Sequence, residues 1–318
     1  MSDLRLRVTA VRTEARDVLR LELQDPHGAL LPAFAPGAHL TLHLPNGLQR
    51  QYSLAGDNRE RHRYVLGVGR AAASRGGSDY VHRMLRAGAE VTCSAPANNF
   101  ELVPDAPRYL FIAGGIGITP ILSMVRWCEA AGEPWTLVYA ARSRVRMGFY
   151  EELRAYGRRV RFHCDDEQGA PLAVAPLLAD VEPGTQVYCC GPAPLMAAVR
   201  EHGAHLGDEA LHFEWFSAPA ADAPPAAAAA DGFWVDLRRS GTSLHVPPDR
   251  SVLDVLEANG HDVPFACREG LCGTCETAVC EGEPEHRDYV YPPSQRDTLR
   301  TMLVCVSRAK SARLVLDL

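Results

Sequence analysis

Short segments in which apolar and polar residues alternate fill the first hundred positions of the chain. The alternation runs through residues 4–8, 18–23, 39–44 and 63–68. A period of two is typical of β-strands that bury one face. Turn-forming residues separate these segments, for example at 25–28. We therefore expect an antiparallel β-barrel over residues 1–103.

Continuous apolar runs replace the alternation in the middle of the chain. They cover residues 109–113, 136–140 and 186–190, and a helical pattern from Pro120 to Ala131 follows the first of them. Strands that are apolar throughout and alternate with helices are typical of a parallel sheet covered on both faces. The pattern predicts an α/β domain over residues 104–216.

An Ala/Pro-rich stretch at residues 217–231 shows no apolar periodicity and predicts an extended linker. The alternative, an Ala-rich helix, is opposed by the prolines in its first half. The last domain would then cover residues 232–318. Its start predicts a β-hairpin, followed by a helix with Ser251 as its N-cap and Gly260 at its end.

The composition narrows the class of protein. Of 318 residues, 47% are hydrophobic and 23% are charged, which excludes a disordered or collagen-like chain. The net charge of −6 argues against a general nucleic-acid binder. No apolar run approaches the roughly 18–20 residues that span a bilayer, and the first residues lack the apolar part of a secretory signal. We expect a cytoplasmic protein that does not enter a membrane.

The cysteines are concentrated in the last domain. Ten are present in the chain, and the spacing Cys267-x4-Cys272-x2-Cys275, followed by Cys305, is that of plant-type [2Fe–2S] ligation. Such a cluster needs four thiolates that converge on one small volume. Three of them can come from one loop only if the loop curls tightly. Cys305 lies in a strand-like segment that would supply the fourth ligand from a rigid element.

The residues beside these cysteines favour the cluster over two alternatives. Gly270 and Gly273 allow positive φ angles, which bring backbone N–H groups towards the sulfurs. A structural zinc site would favour paired C-x2-C units, and buried free cysteines would not gather among Gly, Thr and Glu. Cys280 falls outside the spacing, so we expect it to be a core residue or a spare thiol. The order of elements is that of a ferredoxin-type β-grasp domain.

Two motifs on the predicted barrel are suited to a flavin. In the stretch 75–78 (Arg-Gly-Gly-Ser), the glycines allow close approach of the backbone to a phosphate, Ser78 caps the following helix, and the helix N-terminus adds partial positive charge. The stretch 50–54 follows a strand, and it offers Arg50 for a phosphate, Tyr52 as a flat face and Ser53 as a hydroxyl. Either motif alone is also typical of an ordinary strand or turn.

A third motif is suited to a dinucleotide. Residues 114–120 (Gly-Gly-Ile-Gly-Ile-Thr-Pro) lie between a buried strand and a helix, where the glycines permit a tight turn that exposes backbone N–H groups to a pyrophosphate. The motif differs from the standard G-x-G-x-x-G. Residues 190–192 (Cys-Gly-Pro) follow another strand end, where α/β sheets place their ligands. For Cys190 itself, a buried core cysteine is the alternative.

In this order, the motifs resemble those of the phthalate dioxygenase reductase family, which includes vanillate demethylase reductases. The resemblance spans essentially the whole chain, except that the linker is long. Its most specific parts are residues 75–78, 114–120, 212–214 (His-Phe-Glu), 240–243, the cysteine cluster and the tail 305–311.

The resemblance implies a multidomain protein with an antiparallel β-barrel that binds FMN, an α/β parallel-sheet domain that binds NADH and a C-terminal α+β β-grasp ferredoxin domain. The flavin-binding residues that it implies are Arg50, Tyr52, Ser53, Leu54, Val68, Arg75, Gly76, Gly77, Ser78 and Phe216. The dinucleotide-binding residues that it implies are Gly115, Thr119, Cys190, Gly191 and Pro192. The cluster ligands are Cys267, Cys272, Cys275 and Cys305.

These cofactors imply an NADH-dependent reductase. NADH gives up two electrons together, a [2Fe–2S] cluster accepts one at a time, and a flavin between them handles both. We expect no catalytic side chain, and we expect a terminal oxygenase of the Rieske type as the acceptor. The alternatives are a reductase for a cytochrome P450, a relay subunit without a usable dinucleotide site, and a zinc-stabilised binding module. Arg142, Arg144 and Arg146 could meet a 2′-phosphate, so NADPH stays open as the donor.

Overall fold

The computed structural model describes residues 3–70, 76–217, 232–291 and 293–318, with only the backbone at Pro293. The chain divides into two compact units, Met1–Glu214 and Trp215–Leu318. The predicted limits at residues 103 and 104 fall inside the first unit, which contains two sheets. All but residue 217 of the predicted linker lies outside the described residues. The four domain limits therefore stay predictions.

The first sheet of unit one is antiparallel throughout. Its order is β4-β3-β6-β1-β2-β5, and one helix, α1, follows β5. The bounds are β1 Leu4–Ala15, β2 Val18–Gln24, β3 His39–His43, β4 Gln49–Ser53, β5 Tyr64–Gly69, α1 Gly77–Met84 and β6 Glu90–Cys93. A bridge between Leu54 and Leu66 links the end of β4 to β5 and closes the sheet. The prediction of a small antiparallel barrel is therefore confirmed.

Alternation in the sequence explains the barrel core. Leu6 and Val8 on β1 and Leu21 and Leu23 on β2 are fully buried, and they pack with other inward-facing residues of the sheet. Two limits differ from those that the sequence indicates. The first strand continues to Ala15, beyond the alternation at residues 4–8, and α1 begins at Gly77, so that Ser78 lies inside this helix and not before it.

The second sheet of unit one is parallel. Its order is β11-β10-β7-β8-β9, which confirms the predicted α/β architecture. The strands are β7 Arg108–Gly114, β8 Trp135–Ala141, β9 Val160–Cys164, β10 Thr185–Cys190 and β11 Leu211–Glu214. The helices are α2 Ile118–Ala131, α3 Tyr150–Arg154, α4 Asp165–Gln168, α5 Ala175–Leu178 and α6 Ala193–His202. Short 3₁₀ turns lie at Gly115–Gly117, Arg144–Arg146, Gly157–Arg159, Ala204–Leu206 and Asp208–Ala210.

The barrel and the parallel sheet pack closely at β5. A Cβ atom added at Gly67 would lie 2.5 Å from Cγ2 of Thr119 and 3.0 Å from Cε2 of Phe149. Arg126 on α2 adds a polar link, because it donates to the backbone O of Ala55 and to Glu152. The absence of a side chain at Gly67 therefore lets the start of α2 approach the barrel wall.

Unit two contains a mixed sheet, and the helix at Val252–Ala258 packs on it. The sheet order is β13-β12-β18-β14-β16, with β12 and β18 parallel and the other pairs antiparallel, and β15 and β17 pair separately. The bounds are β12 Phe233–Leu237, β13 Thr242–Val246, α7 Val252–Ala258, β14 Glu276–Glu281, β15 Pro284–Glu285, α8 Pro293–Arg296, β16 Thr301–Leu303, β17 Arg308–Ala309 and β18 Arg313–Leu316. This arrangement confirms the predicted β-grasp domain.

The helix of unit two begins as the sequence predicts. Asp254 donates its backbone N–H to Oγ of Ser251 at 3.0 Å, and Ser251 donates its own N–H to the Asp254 carboxylate at 3.1 Å. This reciprocal capping box fixes the first turn of α7. Gly260 follows the helix with φ of 78°. Nowhere in the described part of the chain does a helix combine the length and apolar character needed to cross a bilayer.

We predict that Gly67→Ala destabilises the protein by about 1–3 kcal/mol, the usual cost of overpacking a close contact. The added methyl group would have to displace Thr119 and Phe149. Gly56→Ala is the matched control, because a Cβ atom there would lie at an ordinary 3.6 Å from Val65. Denaturant unfolding of both variants measures the effect, and equal free energies of unfolding would contradict the proposed role of the close packing.

Candidate functional site

Four cysteines converge in unit two from a loop and a turn. Cys267, Cys272 and Cys275 lie in the loop between α7 and β14, and Cys305 lies just after β16. None of them forms a disulfide. Cys267 is half-buried and the other three are buried. The prediction that Cys305 belongs to a strand is wrong, since β16 ends at Leu303 and residues 304–306 form a turn.

Left-handed backbone gives the cysteine loop its curl. Arg268, Gly270 and Gly273 have φ angles of 60°, 69° and 72°. A Cβ atom at Gly270 would lie 2.6 Å from Cγ2 of Val306 and 3.1 Å from Cα of Asp288. Tyr289 donates its N–H to the O of Gly270 at 2.9 Å. The loop is therefore pressed against the segment after β15, and a side chain at position 270 has no room.

Hydrogen bonds in the loop favour a thiolate at Cys267. The thiols of Cys272 and Cys305 donate to its sulfur, and the N–H groups of Glu269 and Leu271 donate at 3.3 and 3.4 Å. Together they hold the pKa of Cys267 well below the ordinary value of a thiol. The same interactions raise the pKa of Cys272 and of Cys305, because these thiols keep their protons as donors. Backbone N–H groups directed at a sulfur also stabilise the charge of an iron–sulfur centre.

The sulfur positions distinguish one metal ion from a two-iron cluster. Cys267 interacts with Cys272 and with Cys305, and Cys305 interacts with Cys275. Among the described residues, no three of these four sulfurs lie within 4.8 Å of one another. A tetrahedral zinc ion with Zn–S bonds of about 2.3 Å would hold all four within about 3.8 Å. Four sulfurs that converge in this way, but spread wider than one ion requires, fit a [2Fe–2S] cluster.

The predicted phosphate site joins β4 to the start of α1. Gly76 is the N-cap residue with φ of 86°, and α1 begins at Gly77. A Cβ atom at Gly77 would lie 2.5 Å from Cγ and from Nε of Arg50, so the arginine lies directly against this turn. Ser78 does not cap the helix as expected, because it already lies in the first turn. Arg75 lies outside the described residues.

The other predicted flavin residues lie on the barrel wall. Tyr52 and Ser53 are in β4 itself, which follows β3 as a separate strand. Burial raises the pKa of Tyr52 to about 12, so its ring is a neutral, flat surface. The side chains of Leu54 and Val68 are fully buried in the barrel core. Phe216 belongs to unit two, where its side chain is exposed.

The predicted dinucleotide residues meet at the carboxyl edge of the parallel sheet. A Cβ atom at Gly117 would lie 2.2 Å from the O of Cys190, and one at Gly114 would lie 2.6 Å from Cδ of Pro192. The backbones after β7 and after β10 therefore touch. The chain continues from β7 to β8 on one side, while β10 lies on the other, so this edge is the switch point where open α/β sheets bind ligands. Thr119 is buried and donates its hydroxyl to the O of Ile116 at 2.9 Å.

A polar cluster joins the two predicted ligand sites. Ser53 donates its hydroxyl to Oε2 of Glu214 at 3.5 Å, and Glu214 lies opposite Cys190 in the pairing of β10 with β11. Burial raises the pKa of Glu214 to about 8, against the effect of the hydrogen bond from Ser53. Burial, and then the Glu214 charge, raise the pKa of Cys190. Glu214 belongs to the His-Phe-Glu motif at 212–214, but no local pattern predicts its contact with Ser53, because 161 positions separate the two residues.

Two family profiles match the chain. Residues 235–310 match the 2Fe-2S iron-sulfur cluster binding domain, and residues 92–210 match the N-terminal domain of the dimethylamine monooxygenase subunit DmmA-like family. The phenoxybenzoate dioxygenase subunit beta of Ectopseudomonas oleovorans is 43% identical over 318 residues, which cover 100% of this chain and 98% of that protein.

Two solved structures are also similar. The structure of phthalate dioxygenase reductase, described as modular for electron transfer from pyridine nucleotides to [2Fe-2S], is 40% identical with a TM-score of 0.74, over 100% of this chain and 98% of that chain. An intact type IV self-sufficient cytochrome P450 monooxygenase is 40% identical with a TM-score of 0.92, over 99% of this chain and 41% of that longer chain.

We predict that Gly270→Ala prevents retention of the cluster. A methyl group at position 270 meets Val306 and the backbone of Asp288, and it also requires an unfavourable positive φ. Gly241→Ala is the matched control, because its φ of 68° carries the same backbone cost, about 1–2 kcal/mol, in open space. Iron content and visible absorbance of the purified variants measure how much cluster each one retains. Full iron content in Gly270→Ala would show that the tight packing of this loop is dispensable.

We predict that Glu214 makes stability depend on pH between about 4.5 and about 8. Its pKa is raised from 4.5, so the folded chain holds a proton there that the unfolded chain releases. Stability therefore falls as pH rises through this window, by at most about 1.4 kcal/mol per pH unit for one proton. Glu214→Gln removes this contribution, so its stability relative to the original chain increases from pH 4.5 to pH 8. The measurement is thermal unfolding across that range, with Glu209→Gln as the surface control; a difference that is constant with pH would refute the burial of this carboxyl.

Proposed function

The chain belongs to the phthalate dioxygenase reductase family, and on that premise we propose that it takes electrons from NADH and passes them through FMN and a [2Fe–2S] cluster to an oxygenase. The observation that carries the proposal is the convergence of the four sulfurs of Cys267, Cys272, Cys275 and Cys305 in unit two. We assign these cysteines as the cluster ligands. We keep residues 1–103, 104–216, 217–231 and 232–318 as the flavin domain, nucleotide domain, linker and ferredoxin domain.

The roles of the two cofactors and of the protein chain follow from the number of electrons that each carrier transfers. NADH delivers two electrons as a hydride, and a [2Fe–2S] cluster takes one at a time; a bound flavin supplies the conversion between the two. The chain has to hold the nicotinamide against the flavin and keep water away from both. No protein acid or base is required in either transfer.

Contacts in the first unit support a flavin site on the barrel. Arg50 packs against the Gly76–Gly77 turn, where its guanidinium and the backbone N–H groups at the start of α1 are suited to the FMN phosphate. Tyr52 and Ser53 lie on the adjacent strand, where they would meet the ring system. Arg75, Leu54, Val68 and Phe216 remain proposed flavin contacts. One phosphate site favours FMN over FAD.

The dinucleotide is assigned to the carboxyl edge of β7 and β10. Gly115 and Thr119 follow β7, and Cys190, Gly191 and Pro192 end β10 and follow it. The pyrophosphate would meet the N–H groups that the 115–117 turn exposes. Since Ser53 reaches Glu214 beside Cys190, the flavin and nicotinamide sites would share one wall. In that position Glu214 and Ser53 would orient the two rings.

An oxygenase is the acceptor that the family supports, and we propose a Rieske-type oxygenase. A plant-type cluster near −400 mV gives one electron to a Rieske centre near −150 mV or above, which is downhill by about 6 kcal/mol. The second candidate is a cytochrome P450, favoured by the similar region within the self-sufficient P450 monooxygenase. The proposed reductase would work in the cytoplasm, away from membranes and nucleic acids.

The test is anaerobic mixing with NADH, followed by visible absorbance and electron paramagnetic resonance. We predict that Cys272→Ala still bleaches its flavin but gives no reduced-cluster signal. Cys280→Ala is the matched control, because Cys280 lies outside the four-sulfur set, and it is predicted to give both signals. A full cluster signal in Cys272→Ala would disprove the ligand assignment. Failure of NADH to bleach the flavin of the original chain would instead support a relay without nucleotide binding.

A further inference from the structure

Three arginines follow β8, and the structure shows that two of them are already engaged. Arg144 forms a two-point ion pair with Glu167, with Nε to Oε1 at 2.9 Å and Nη2 to Oε2 at 2.7 Å. Its remaining Nη1 group donates to the hydroxyl of Tyr150. Arg146 pairs with Asp17 at 2.6 Å. The sequence alone presents these arginines as ligands for a phosphate, and the fold instead pairs both with carboxylates.

The carboxylate that holds Arg144 comes from the neighbouring strand. Glu167 lies in α4, which begins directly after β9, and β9 is parallel to β8. Asp166 also belongs to α4, and it donates its N–H to the O of Arg142 at 3.1 Å. The Asp166 and Glu167 carboxylates lie within 4.8 Å of each other. Negative charge is therefore concentrated where β8 and β9 end.

This inference rests on the proposed function, which puts the pyrophosphate of the dinucleotide at the end of β7. The adenosine half of a dinucleotide then extends along the carboxyl edge of the sheet, over the next strands. In this sheet those strands are β8 and then β9. The adenosine ribose, which carries the 2′-phosphate in NADPH and a hydroxyl in NADH, is directed towards the pair formed by Arg144 and Glu167.

We propose that Glu167 is a specificity-determining residue that makes the chain prefer NADH to NADPH. It occupies the arginine that would otherwise bind a 2′-phosphate, and with Asp166 it opposes the approach of a second anion. A ribose hydroxyl is compatible with the same carboxylates, because it can donate a hydrogen bond to them. Selectivity would then arise from repulsion of the 2′-phosphate of NADPH as well as from the hydrogen bond to the ribose hydroxyl of NADH.

The test compares kcat/KM for NADH and NADPH in the flavin- and cluster-loaded protein. In Glu167→Gln, Arg144 is released from its partner, and we expect the NADPH to NADH ratio of kcat/KM to rise about tenfold or more, the effect of one hydrogen bond between charged groups. The change falls on KM for NADPH. The double variant Arg144→Ala with Glu167→Gln is expected to lose most of this gain.

Glu129→Gln is the matched control. Glu129 also forms an ion pair with an arginine, Arg159, in which Nη2 and Oε1 are 2.9 Å apart, but that pair lies at the opposite edge of the sheet, where β9 begins. In Glu129→Gln, the NADPH to NADH ratio of kcat/KM is expected to equal that of the original chain. An unchanged ratio in Glu167→Gln, a preference of the original chain for NADPH, or a gain that survives in the double variant would each overturn the inference. If the original chain oxidises neither nucleotide, the proposed function itself fails, which is a distinct result.

Discussion

Three thiolates from one short loop can surround a small inorganic cluster only if the backbone turns back on itself. The loop from Cys267 to Cys275 does this with left-handed residues at Arg268, Gly270 and Gly273. The turn directs the N–H groups of Glu269 and Leu271 at the sulfur of Cys267. Close packing against Asp288 then fixes the loop in place. The whole electron path ends in this geometry, because the cluster is the group that must release electrons one at a time.

A second constraint operates in the first unit, where the proposed flavin and nicotinamide sites would share one wall. The close contact at Gly67 leaves no room for a side chain between the barrel and the parallel sheet, and Gly114 and Gly117 let the backbone after β7 touch the end of β10. Ser53 from the barrel can then reach Glu214 from the sheet. Hydride transfer needs contact between nicotinamide and flavin, and in the proposed sites these close approaches would let the two rings meet. The same sheet edge continues to Glu167, so the proposed donor selection and hydride transfer would use one surface.

Local sequence patterns were sufficient to predict the architecture and to single out the four cysteines that converge in unit two. Alternation predicted the barrel, continuous apolar runs predicted the parallel sheet, and cysteine spacing predicted the cluster loop, since each depends on neighbours in the chain. The contact between Ser53 and Glu214 and the pairing of Arg144 with Glu167 could not be predicted in this way, because they depend on how distant strands are arranged. The end of β16 at Leu303 could not be predicted either, because the apolar residues of this segment continue past the strand into the turn that contains Cys305.

We propose that a two-iron cluster held by Cys267, Cys272, Cys275 and Cys305 receives electrons that began on a pyridine nucleotide. The most direct measurement is metal and acid-labile sulfide analysis of the purified chain, combined with paramagnetic resonance after NADH is the sole reductant added. We expect about two irons and two sulfides per chain and a signal from the reduced cluster. Stoichiometric zinc in place of iron, or an iron centre that stays silent while the flavin is fully reduced, would contradict the assignment of these cysteines.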